Sequence, residues 1–163
     1  MNIKSKVFAS RILGKRPDAL AEVRGSAAYP NIRGSVGFYA ALNGTLVVSE
    51  VTGLPYSNEA CKQAVFGMHV HEGNSCTGNA EDPFADTKGH YNPKNCKHPQ
   101  HAGDLPPLFG NDGSAWNAVY TNRFKPQDVI GRTVIIHSSP DDFTTQPAGN
   151  SGKKIACGVI KPS

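Results

Sequence analysis

Apolar and polar residues alternate in short runs along most of this chain. ALAEVRGSA, IRGSVGFYAAL and TLVVSEVTGL read as three strands, the last two joined at an Asn43–Gly44 turn. QAVFGMHVHE reads as another strand, with Phe66, Met68 and Val70 on one face and His69 and His71 on the other. A long stretch from Gly73 to Asp104 follows. LPPLFG then leads through an Asn111–Asp112–Gly113 turn to SAWNAVYT, DVIGRTVIIH and IACGVI, with a second long loop from Ser138 to Lys154 before the last run. About eight short strands between glycine, asparagine and proline turns predict an all-β fold, an antiparallel sandwich or flattened barrel. Phe38, Phe66, Trp116 and Val134 are assigned to its core.

At 163 residues the chain is long enough for one domain with a real core. Its 17 glycines and 12 prolines fit a loop-rich β protein rather than disorder. No apolar run approaches membrane-spanning length, so the chain reads as soluble, with no membrane partner. The formal charge of +4 changes the picture only at one end. Residues 1–18 carry Lys4, Lys6, Arg11, Lys15 and Arg16 against Asp18 alone, which leaves residues 19–163 neutral. The first segment therefore reads as a solvated basic tail and the rest as the domain, with no nucleic-acid partner called for. Val7–Phe8 and Ile12–Leu13 are too short for the core of a secretory signal.

The chemistry lies between Phe66 and Asp104, which hold five of the six histidines. His69 and His71, at i and i+2 on a strand, project two imidazoles side by side, and imidazole suits copper or zinc. His98, His101 and Asp104 form H-x-x-H-x-x-D with Pro99 and Gly103 inside it, a bent loop whose side chains can converge on one ion. Two imidazoles and a carboxylate need one more donor for a tetrahedral zinc site. His90 lies between the two groups, and its two ring nitrogens allow it to complete that set and touch a second metal. His69, His71 and His137 would supply the other ligands there.

GMHVHE, GHYNP, HAGDLPPL, GRTVIIH and GNSGKKIACGVI, in this order, closely resemble the copper/zinc superoxide dismutases of bacterial type. The resemblance runs from about Ala19 to Ile160. It implies an eight-stranded Greek-key β-barrel with two long functional loops, one copper and one zinc per chain, and superoxide as substrate. His69, His71, His90 and His137 then correspond to the copper ligands. His90, His98, His101 and Asp104 correspond to the zinc ligands, with His90 bridging. Asp141 matches the aspartate that links His69 to His98 and orients both rings. The family's reaction turns one superoxide into oxygen and a second into hydrogen peroxide by copper redox cycling, with His90 carrying a proton and zinc structural. Cys76 and Cys157 match the family's intrasubunit disulfide. Cys61 and Cys96 lie outside the pattern and are expected to form a second bridge, with zinc ligation by Cys96 as the alternative.

One position departs from the family. Lys154 stands three residues before Cys157, where arginine usually lies beside the copper. It keeps the charge but lacks the planar donor fork, so reduced but real activity is expected. A copper-binding protein without turnover is the alternative reading, although such proteins tend to lack copper ligands that are present here. The resemblance allows a homodimer, and members also occur as monomers. The missing signal core favours the cytoplasm, whereas disulfides favour a periplasmic or extracellular location.

Overall fold

In a computed structural model, residues 14–62 and 64–163 are described. Most of the expected basic tail lies outside them. Nine strands follow in order: β1 (Ala19–Gly25), β2 (Arg33–Ala41), β3 (Gly44–Thr52), β4 (Val65–Phe66), β5 (Met68–His71), β6 (Leu108–Phe109), β7 (Ala115–Thr121), β8 (Thr133–His137) and β9 (Lys154–Pro162). Seven form one antiparallel sheet in the order β5-β8-β9-β1-β2-β3-β7, and β4 pairs with β6. The all-β reading and its antiparallel strands are borne out.

The predicted strand QAVFGMHVHE is divided at Gly67. Val65 and Phe66 pair with β6, while Met68–His71 pair with β8. Gly67 bonds on both sides, its N–H donating to the Ser139 carbonyl and its own carbonyl accepting from the His137 N–H. One strand thus passes from the small sheet to the large one, which carries the barrel round a corner and brings the end of β8 beside it.

Three local expectations are corrected. The β2–β3 loop is Leu42–Asn43, with Leu42 at φ 52°, rather than Asn43–Gly44. Gly44 is used instead for close approach, because a Cβ there would lie 2.1 Å from the Thr121 carbonyl oxygen. DVIGRTVIIH is a strand only from Thr133. Pro126 opens a one-turn helix, α1 (Pro126–Val129), whose start is held by the Lys125 N–H donating to Asp128 at 2.8 Å. Trp116 is 61% exposed, not core. Strand alternation puts Ala115 inward and Trp116 outward on β7, the last strand of the sheet.

Phe38, Phe66 and Val134 are buried as expected, together with Met68, Val70, Ile136 and Ile155. A smaller cluster of Phe84, Ile135 and Cys157 lies on the other side of β8 and packs against Cys76. Cys76 and Cys157 form the disulfide. Closing an 81-residue separation restrains the unfolded chain by roughly 4 kcal/mol in the loop-entropy account. The expected Cys61–Cys96 bridge is absent and both thiols are free. Cys61 sits exposed in the turn before β4, whereas Cys96 belongs to a turn in the long loop after β5, closed on both sides by the Asn92 side chain. Among the described residues, no helix is long and apolar enough to cross a membrane.

Candidate metal centre

β5 ends the large sheet, so one of its edges is free to take up the long loop that follows it. Val70 donates to the Gly103 carbonyl at 2.9 Å and accepts from the Tyr91 N–H at 2.8 Å. Isolated bridges pair His69 with Asp104 and His71 with His90. The backbone therefore sets His90 and Asp104 of the loop against the strand that carries His69 and His71. Gly103 permits this approach, since a Cβ there would meet the Val70 carbonyl oxygen at 2.2 Å.

Both faces of β5 are buried. Met68 and Val70 enter the core, and the alternation turns His69 and His71 into the site. His137 arrives from β8, where the pairing with β9 slips: Ile136 faces Ala156 and His137 faces Lys154. This irregularity buries Ile155 and Ala156 together and leaves Lys154 opposite His137.

Two clusters result. The ligand atoms of His69, His71, His90 and His137 lie within 4.8 Å of one another, and so do those of His90, His98, His101 and Asp104. All seven residues proposed from the sequence are brought together, with His90 in both groups. His90 Nδ1 is 2.7 Å from Asp104 Oδ1, and its Nε2 points to the other cluster with no hydrogen-bond partner in the protein.

The outer nitrogens decide the tautomers. Asp141 accepts from His69 Nε2 at 2.7 Å through Oδ2 and from His98 Nε2 at 2.9 Å through Oδ1. A carboxylate takes N–H donors, so Nδ1 of each ring carries the lone pair and faces its own cluster. His71 Nδ1 donates to the Lys88 carbonyl at 2.9 Å, and His137 Nδ1 lies 3.5 Å from the Gly152 carbonyl. Their Nε2 atoms then present lone pairs to each other across 3.3 Å. Two lone pairs at that distance repel unless a cation lies between them.

Four buried ring nitrogens make the same point: His69 Nδ1, His90 Nε2, His98 Nδ1 and His101 Nδ1 have no hydrogen-bond partner. His98 Nδ1 and His101 Nδ1 approach Asp104 Oδ2 at 3.1 and 3.3 Å without forming one. Buried polar atoms are seldom left this way, and one divalent cation in each cluster satisfies them. The residues therefore fit two metal ions.

Electrostatics agree. Burial lowers His69 to about 4 and His137 to about 3, with repulsion from neighbouring rings adding to the effect. His71 is lowered for the same reasons. These rings stay neutral, the form that binds metal, well below pH 7. Burial raises Asp104 and Asp141, but hydrogen bonds to histidines outweigh it; Asp104 falls below its usual range and Asp141 to about 2.

The two clusters differ in access. His71, His90 and His137 line a cavity of about 760 Å³ that Lys154 also lines, whereas His98, His101 and Asp104 do not reach it. One cluster opens to this cavity and the other is closed from it. Lys154 lies beside the first cluster, but its Nζ donates to Asp82 Oδ2 at 2.8 Å and to the Phe84 carbonyl at 3.0 Å. Asp82 was not singled out from the sequence. The supporting carbonyls of Lys88 and Gly152 have no side-chain signature.

The family model for copper/zinc superoxide dismutase (SODC) matches residues 32–160. A Deinococcus radiodurans protein named superoxide dismutase [Cu-Zn] is 34% identical over 148 residues, covering 80% of this chain and 78% of its own length. An Aquifex aeolicus superoxide dismutase [Cu-Zn] is 32% identical, covering 96% and 98%. The solved Cu/Zn superoxide dismutase of Brucella abortus is similar with a TM-score of 0.73 and 28% identity, over 88% of this chain and 99% of that one.

Proposed function

The chain belongs to the copper/zinc superoxide dismutase family, and from that premise we propose which of its residues perform the reaction. The function is dismutation of superoxide, an oxidoreductase activity using copper and zinc. His69, His71, His90 and His137 hold copper in the open cluster. His90, His98, His101 and Asp104 hold zinc in the closed one. The observation that supports this is the set of inward-facing ring nitrogens without protein partners, shared between two clusters through His90. Residues 19–163 form the catalytic domain, and residues 1–18 a basic tail.

When bound, copper supplies one-electron redox chemistry and zinc supplies fixed positive charge without redox change. Two superoxide anions and two protons give one oxygen and one hydrogen peroxide. His90 holds a proton at Nε2 after the first half-reaction and returns it in the second. Asp141 keeps His69 and His98 in the required tautomers throughout. Lys154 draws the anion into the cavity, and the closed zinc side excludes water from the far face of His90.

Metal reconstitution tests this reading. Near one copper and one zinc per chain, with dismutation lost on His90→Ala substitution, is the expected result. Full metal content without dismutation, or copper retained undiminished after removal of His69 and His71, overturns it.

A further inference from the structure

Lys154 has three N–H donors, and two of them are already engaged by Asp82 and the Phe84 carbonyl. The lysine side chain is 16% exposed and the aspartate side chain 40%. Asp82 is itself firmly placed. Its Oδ1 accepts from the Phe84 N–H at 2.9 Å, its N–H donates to Asn79 Oδ1, and its carbonyl accepts from Asn79 and Ala85. Oδ2 is left to the lysine. The Cys76–Cys157 disulfide ties this same segment to β9, which carries Lys154.

The cavity lining includes Lys88, Lys153 and Lys154 against Glu81 and Asp82, a balance of one positive charge. Any anion approaching the open cluster meets Lys154 as half of an ion pair. We propose that Asp82 is a positioning residue for the dismutation reaction: it holds the Lys154 ammonium at the cavity wall and cancels much of its pull on the incoming anion. The proposal rests on the superoxide dismutase reading above. It assigns part of the lower activity expected from the sequence to an acidic partner rather than to the lysine's lack of a guanidinium fork.

Asp82→Asn keeps an oxygen for the Phe84 N–H but puts an NH2 where Oδ2 accepted from Lys154, so the charge and that acceptor go together and the positive balance rises from one to two. A unit charge some 10 Å from the path of a monovalent anion shifts its local concentration by roughly two- to threefold in water. In the copper- and zinc-loaded protein, kcat/KM should rise by that factor at about 0.01 M ionic strength, and the gain should vanish at high salt. The Lys154→Gln variant should be rescued in part by Asp82→Asn, because it leaves the acidic partner unopposed in the cavity.

A second readout needs no metal. Acetic anhydride labelling of the metal-free protein, read by peptide mass, should modify Lys154 several-fold faster in Asp82→Asn than in the parent chain, with Lys153 as internal reference. Asp82→Glu should restore protection. Unchanged labelling of Lys154, or a low-salt kcat/KM at or below the parent value, overturns the proposal. So does a Lys154→Gln/Asp82→Asn double variant no more active than Lys154→Gln alone. If the loaded parent protein does not dismutate superoxide at all, the functional reading fails, while the labelling still decides whether Asp82 holds Lys154.

Discussion

Asp141 touches His69 with one carboxylate oxygen and His98 with the other, so one side chain sets a ring tautomer in each cluster. Asp141→Ala should therefore weaken both metals, each by roughly 10- to 100-fold, in competition titrations against a chelator. The histidines were legible in the sequence because their residue type and spacing report chemistry directly. Trp116 was not, because its size suggests core while its place on an edge strand depends on distant pairing. The neutral rings also make a pH prediction. His69 and His137 titrate near 4 and 3 when folded, against an ordinary 6.5, so the folded state binds their protons less readily than the unfolded state. Their contribution is present above pH 6.5 and is lost as pH falls toward 4. Metal-free protein should be less stable at pH 5 than at pH 7 by roughly 2–4 kcal/mol in urea unfolding.

At the scale of elements, the loop from Ser138 to Lys154 is shaped around Asp141. Gly149 adopts φ +66°, and a Cβ there would lie 2.0 Å from Asp141 Oδ1 and 2.7 Å from His98 Nε2. Gly149→Ala should displace Asp141 and lower zinc content in the purified protein without altering the strand spectrum in far-ultraviolet circular dichroism. Breaking the disulfide with Cys157→Ser should cost about 2–5 kcal/mol, read from denaturant midpoints, and loosen the segment that carries Asp82. Strand runs and the Asn111–Gly113 turn were readable from alternation and turn residues. The division of VFGMHVH at Gly67 was not, since nothing local shows that one run serves two sheets. The free state of Cys61 and Cys96 was hidden likewise: an even cysteine count says nothing about whether two loops meet.

For the whole molecule, ligands from β5, β8 and the long Gly73–Asp104 loop mean that bound metal fastens together segments far apart in sequence. Metal removal should lower Tm by roughly 10 °C relative to protein held at a thousandfold excess over Kd, measured by calorimetry. The shared contacts reach further than stability. His90 belongs to both clusters and Asp141 grips a ring in each, so filling one site alters how well the other is prepared. Such preparation is a thermodynamic debt owed in both directions: whatever factor zinc adds to copper affinity, copper must add to zinc affinity. The order in which a cell delivers the two ions then changes the route of assembly but leaves its end point unaltered.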